Sequence, residues 1–294
     1  MHIDMATLDK ARIASDQEVI GRDTRTVRTD DGVTIAYRVV GTGPRNVMFL
    51  HGWGGAGSGH SWADVMRHLD LNGLRAILVD LRGHGLSEET TRGFTIERFT
   101  QDLLTVADAA QADEFVLVAY SMSGKWALWM SCTAPERVIG QVLVAPAPAI
   151  EVPIPDAEKE RWLAVARSGD RDLFQDWLRA WSKEALPPDV VDRYFDDVSR
   201  TSQVTLGGTL DMCKHGAFMD RLQSIKAPTL VVAGEHDPLL SPAILRETVV
   251  TPISGARLVV LDSGHEIPVE LPQTLAALLG AFVARLGGTR AAGG

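Results

Sequence analysis

Cysteine is scarce in this chain of 294 residues, and the two that occur, Cys132 and Cys213, have neither metal-ligand nor redox spacing. That argues against a disulfide framework, a zinc cluster and a dithiol redox centre, and it fits two free buried thiols in a reducing compartment. Basic blocks are missing as well. With a net charge of −9 and no run of lysine or arginine to neutralise phosphates, the composition argues against a nucleic-acid binder. No apolar run approaches the length of a membrane span. The first 22 residues are mixed and charged, without the apolar stretch of a signal peptide. A cytoplasmic protein is the expectation, with no membrane partner.

What is present is material for a core: 45% of the residues are hydrophobic. Segments 24–29 and 33–41 alternate and are rich in β-branched residues, and Asp30-Asp31-Gly32 between them is a hairpin turn signal. Short apolar runs follow at 47–50, 76–79, 115–119, 142–144, 230–233 and 258–261, the pattern of parallel strands covered on both faces. Helical stretches at 61–71, 96–110, 122–134, 243–249 and 271–286 alternate with them. The fold class is therefore α/β, a mostly parallel, doubly wound sheet. About eighty residues without a strand separate the runs at 142–144 and 230–233, and helical patterns fill them at 157–167, 170–182, 189–199 and 208–218. The expected organisation is an N-terminal arm over 1–23, a core over 24–146 and 223–287, an inserted helical cap over 147–222 and a frayed tail over 288–294.

Ser121 stands between the apolar run ending in Ala119-Tyr120 and the helical pattern that opens with Met122-Ser123-Gly124. A serine at a sharp strand-to-helix turn is held clear of the backbone, which suits a nucleophile. Both glycines of the usual G-x-S-x-G pattern are replaced, by Ala119 and Ser123. An ordinary helix cap fits this segment too.

A serine hydroxyl needs a base, and the base needs a carboxylate to orient it. Asp237, in Gly234-Glu235-His236-Asp237-Pro238, follows the run at 230–233. His265, in Ser263-Gly264-His265-Glu266, follows the run at 258–261. Loops beyond the carboxyl ends of parallel strands share one edge of a sheet, so Ser121, Asp237 and His265 are expected to converge. Glu235 is a second candidate for the acid, and Asp237 before a proline also fits a turn and helix cap. The developing oxyanion needs backbone donors: the amide of Met122, and that of Trp53 in the glycine-rich loop His51-Gly52-Trp53-Gly54-Gly55-Ala56-Gly57. Such a loop also fits phosphate binding, but it lacks the order of a P-loop. No cofactor and no metal are expected. His51 reads as structural.

These motifs, together with Asp80-Leu81-Arg82-Gly83-His84-Gly85-Leu86-Ser87, resemble the α/β-hydrolase fold enzymes of the capped kind that includes bacterial esterases, lactonases and C–C bond hydrolases. The resemblance covers roughly residues 24–286. It implies Ser121 as nucleophile, Asp237 as acid, His265 as base, and a structural role for the Asp80 to Ser87 turn behind the site. Relatives resembling haloalkane dehalogenases and epoxide hydrolases place aspartate at the nucleophile turn, so serine points to acyl transfer. The implied activity is hydrolysis of a small-molecule carboxylic ester or lactone. C–C bond hydrolysis or cofactor-free perhydrolysis on the same triad, and a catalytically weak ligand sensor, are the alternatives.

Trp53, Trp126, Trp129, Trp162, Trp177 and Trp181 fall on the loop, the helix after Ser121 and the cap. Tryptophans at such spacing are core, or, where they face the cleft, favour a bulky apolar or aromatic substrate. Lys125, four residues after Ser121, misses the S-x-x-K spacing and reads as a helix-surface or supporting residue.

Overall fold

The computed structural model describes residue 16 and residues 19–288. The expected arm therefore lies mostly, and the expected tail almost wholly, outside the described residues. Of the described arm residues, Asp16, Val19 and Ile20 are helical, and the arm is anchored there. Ile20 is fully buried, and the Asp16 carboxylate pairs with Arg67 at 2.5 Å and Arg193 at 3.5 Å.

One eight-stranded sheet organises the molecule. In chain order the strands are β1 Thr24–Arg28, β2 Thr34–Val40, β3 Arg45–Leu50, β4 Leu74–Asp80, β5 Phe115–Tyr120, β6 Val138–Val144, β7 Thr229–Gly234 and β8 Arg257–Leu261. Their spatial order is β1-β2-β4-β3-β5-β6-β7-β8. The β1–β2 and β2–β4 pairs are antiparallel and every other pair is parallel. The opening hairpin turns at Asp30-Asp31-Gly32, where Gly32 adopts φ +87°. Every residue of β5 and of β7 is buried. The apolar run at 258–261 departs from expectation. It forms β8, which pairs only with β7 at the sheet edge, and its residues are half-buried or exposed.

Ten α-helices are described: α1 Ala63–Met66, α2 Ile96–Ala109, α3 Ser123–Thr133, α4 Asp156–Arg167, α5 Arg171–Arg179, α6 Pro188–Arg200, α7 Gln203–His215, α8 Pro242–Leu245, α9 Ile267–Glu270 and α10 Pro272–Gly288. Two expected helices are irregular. The stretch at 61–71 is a 3₁₀ turn, Gly59–Trp62, followed by the single turn α1, and the stretch at 243–249 is α8 continuing into a π turn, Arg246–Val250. Helices α4 to α7 occupy the long connection between β6 and β7. Of these, α7 begins five residues before the expected start at 208. The Ser202 hydroxyl caps it by accepting from the Thr205 amide at 3.2 Å. Gly208, the first residue of the expected helix, lies inside α7 and packs closely: a Cβ there would lie 2.7 Å from the Phe94 ring.

No helix among the described residues is long and apolar enough to cross a membrane. The order of strands reverses around β3, whose neighbours β4 and β5 lie on opposite sides. In an open α/β sheet the crevice at such a switch, beyond the carboxyl ends of the strands, is where ligands bind.

Candidate active site

Ser121 is the first residue after β5, and its φ of +53° is left-handed. For a residue with a side chain that conformation costs about 1–2 kcal/mol, so the surroundings must impose it. They do so through the backbone. The Ser121 amide donates to the Val144 carbonyl at 2.9 Å, and the Ser121 carbonyl accepts from Gly124 at 2.9 Å and Ala147 at 2.8 Å. Gly124 has no freedom to be anything larger, because a Cβ would come within 2.3 Å of Pro146. Ser123 stands where the usual pattern has glycine and adds a stitch. Its hydroxyl accepts from the Tyr120 amide at 3.1 Å and lies 3.1 Å from the Leu50 carbonyl. The elbow is thereby tied to the end of β3.

The loops after β7 and β8 meet the elbow. Gly234 and Gly264 make this possible: a Cβ at Gly234 would lie 1.9 Å from the Gly264 carbonyl oxygen, and one at Gly264 would strike the Trp181 carbonyl at 2.4 Å. His265 Nε2 lies 2.8 Å from Ser121 Oγ, and His265 Nδ1 lies 2.6 Å from Asp237 Oδ2. The other Asp237 oxygen accepts from the amides of Leu239 and Leu240 at 2.9 and 2.8 Å. Burial alone would raise the Asp237 pKa, but the His265 charge and these hydrogen bonds outweigh it and hold the carboxyl below its ordinary value. For His265, burial pulls the pKa down and Asp237 more than restores it, leaving the imidazole above 6.5. This network assigns Nδ1–H to the Asp237 side and a proton-accepting Nε2 to the Ser121 side.

Glu235 is not part of this relay. It is exposed, and with His236 and Asp262 it forms a surface group whose ligand-type atoms lie within 4.8 Å of one another. Asp262 there is already engaged, by His236 at 2.9 Å and Lys183 at 2.6 Å.

Met122 and Trp53 line the same cavity as Ser121 and His265. Neither backbone N–H has an acceptor among the described residues. The loop carrying Trp53 is held by His51, fully buried and kept neutral by that burial with its pKa down to about 4. Its Nδ1 faces the Gly52 carbonyl at 2.8 Å, and its Nε2 accepts from the Leu81 amide at 3.0 Å. The glycines at 52, 54 and 57 follow the G-x-G-x-x-G spacing of a dinucleotide turn. Here, however, the loop runs into 3₁₀ turns, and the space a Cβ would take at Gly55 is filled by Tyr194 and Phe174 at 2.7 and 2.8 Å. Behind it, the Asp80 carboxylate accepts from Gly59 at 2.8 Å and Leu86 at 3.0 Å, and Arg82 is clamped between Asp102 and Asp31.

Four tryptophans reach the cavity, Trp53, Trp162, Trp177 and Trp181, with Val152, Ile154 and Leu210 completing an apolar wall. Trp126 and Trp129 do not. The first stacks on Phe99 at 4.4 Å and the second packs against Phe218. The cavity leaves about 70 Å³ for the centres of water molecules, room for roughly five to seven at about 10–15 Å³ each.

Two residues have roles that the sequence did not disclose. Glu266 is buried beside His265, accepts from the Tyr120 hydroxyl at 2.6 Å, and has its pKa raised by burial. Lys125 is not on a helix surface. It is fully buried, and its ammonium donates to the carbonyls of Ile150 at 2.7 Å, Gly216 at 2.6 Å and Cys213. Burial lowers its pKa to about 8, so it remains charged at neutral pH. No spacing signal marks either one. Only a charged residue on the otherwise apolar helix after Ser121 hints at Lys125.

Comparison with known proteins agrees with this fold. The profile of the alpha/beta hydrolase fold family matches residues 45–272. The chain is 27% identical over 203 residues to 3-oxoadipate enol-lactonase 2 of Acinetobacter baylyi, covering 67% of this chain and 74% of the relative. It is 28% identical over 225 residues to a non-heme chloroperoxidase of Kitasatospora aureofaciens, covering 72% of this chain and 81% of the relative. Among solved structures, a hydrolase from Pseudomonas aeruginosa superposes with a TM-score of 0.76 at 26% identity, covering 90% of this chain and 99% of that one.

Proposed function

The chain belongs to the α/β hydrolase fold family, and from that footing we propose that it is a serine hydrolase that cleaves a small carboxylic ester or lactone through an acyl-enzyme on Ser121. The observation that carries this reading is the unbroken relay Asp237–His265–Ser121, with contacts of 2.6 and 2.8 Å. In the cycle, His265 Nε2 takes the Ser121 proton as Oγ attacks the carbonyl carbon. The amides of Met122 and Trp53 donate to the oxyanion, and Asp237 stabilises the imidazolium. Collapse breaks the C–O bond as His265 protonates the leaving alcohol. Water then repeats the sequence, with His265 as base, and releases the acid and free Ser121. The helices between β6 and β7 act as a cap that contributes the apolar wall. The enol-lactonase likeness supports the substrate class.

The base must be unprotonated to act. The rate constant kcat/KM is therefore expected to rise with pH and level off, with an inflection above 6.5 because Asp237 raises the His265 pKa. A pH profile with its inflection well below that value would contradict the assigned base. The four tryptophans in the wall favour an apolar or aromatic substrate, and the cavity volume limits its bulk. On p-nitrophenyl esters of graded length, acetate to butyrate are expected to exceed octanoate by about tenfold or more in kcat/KM, since each unaccommodated methylene forfeits burial. Equal rates across the series would contradict that size limit.

Likeness to the non-heme chloroperoxidase supports a second reading: hydrogen peroxide in place of water would attack the acyl-enzyme and release a peracid. Peracid formation from acetate and peroxide, lost in Ser121→Ala, would establish it.

A further inference from the structure

We infer that Lys125 is a positioning residue that sets the depth of the substrate cavity by fastening both ends of the helical segment between β6 and β7 to the helix that carries the nucleophile. The inference rests on the serine-hydrolase reading of the site.

The geometry is specific. Lys125 sits on the first turn of α3, four residues after Ser121. Its ammonium has three protons and three carbonyl partners, and these come from two separate stretches of chain. Ile150 belongs to the stretch that leaves β6 for the helices. Cys213 and Gly216 belong to the end of α7 and the turn that returns to the core. The two stretches are themselves joined, since the Phe218 amide donates to the Ala149 carbonyl at 2.8 Å. One buried cation thus closes a three-way junction at the base of the segment.

The cavity wall hangs from that junction. Val152 and Ile154 follow Ile150 by a few residues, Leu210 and Cys213 lie on the last turns of α7, and Ser121 and Met122 lead into α3. Every one of these lines the cavity. The distance between the nucleophile and the apolar wall is therefore set across the Lys125 contacts. A surface lysine would not bury its charge for this. Charge-assisted hydrogen bonds to all three partners offset the desolvation that burial costs. Removing the ammonium leaves the Ile150 and Gly216 carbonyls without this donor and Cys213 with only the 3.4 Å hydrogen bond from the Val152 amide, and the wall can move away from the elbow.

The test is Lys125→Met, a near-isostere without donors, read by substrate length and by backbone exchange. On p-nitrophenyl acetate kcat is expected to stay within about threefold of the parent, because the relay is untouched. The acetate-to-octanoate ratio in kcat/KM is expected to fall by about tenfold, mainly through a lower KM for octanoate. Amide hydrogen exchange is expected to quicken at residues 146–155 and 213–218 and to stay unchanged in β5. Should Lys125→Met fail to fold, Lys125→Gln, which is shorter, uncharged and one N–H short of the three carbonyls, carries the same comparison with an expected fall of at least about threefold in the length ratio. An unchanged length preference, or an equal loss of kcat at every length, would overturn the inference. A parent protein inert on every ester and lactone would sink the hydrolase reading, while unchanged exchange at the two stretches would sink the role of Lys125 by itself.

Discussion

Replacing Ser121 by alanine is expected to lower kcat on a p-nitrophenyl ester by about 10⁴-fold or more and to abolish the burst of nitrophenol. The loss follows from chemistry rather than from folding. Alanine keeps the left-handed backbone of +53°, and the three backbone hydrogen bonds that hold the elbow do not involve the side chain. Among the described residues, the side-chain hydrogen bond forfeited is the 2.8 Å one to His265. The melting temperature should therefore shift by no more than about 2–4 °C, the equivalent of roughly 1 kcal/mol. A covalent phosphonate should label the parent and spare the variant. Substantial turnover by Ser121→Ala would remove this residue from the mechanism, whatever the rest of the site does.

The second large effect separates two neighbouring acids. Asp237→Asn should cost about 10⁴-fold in kcat, and Glu235→Gln should change it by less than about twofold. One Asp237 oxygen is occupied by the amides of Leu239 and Leu240, so only the other faces His265 Nδ1. An asparagine that kept those two hydrogen bonds would turn its NH₂ toward the imidazole. That forces Nδ1 to accept and puts the proton on Nε2, the wrong tautomer for a base aimed at Ser121. Glu235 is exposed and grouped with His236 and Asp262, outside the relay. If Glu235→Gln were the damaging change, the acid would be misassigned. The outcome is read from steady-state kinetics on a single ester, with the pH profile as a check that the surviving activity still titrates.

Much of the fold was legible because its signals are local. The strands at 47–50, 115–119 and 230–233 are uninterrupted β-branched and apolar runs, and no helix of that length could use them so well. The elbow was legible despite two missing glycines, because a strand, a serine and a helix in immediate succession constrain the turn by themselves. Where the reading slipped, a long-range contact had overridden the local pattern. The helix expected from 208 begins at Gln203 instead, where Ser202 caps it, and Gly208 within it makes room for Phe94. The run at 258–261 looks like an interior strand, and only the sheet order reveals it as an edge.

The amino-acid order alone determined the class of fold, the three side chains that could form a relay and the loops that present them. Periodicity, glycine placement and chain order act over a few residues and survive without knowledge of the rest. Only tertiary packing decided that Asp237 rather than Glu235 meets His265, that Trp53, Trp162, Trp177 and Trp181 face the cavity while Trp126 and Trp129 do not, and that Lys125 is buried under three carbonyls. Each of those depends on which backbone atoms from distant segments come within about 3 Å, and hydrogen bonding at that range is blind to separation along the chain.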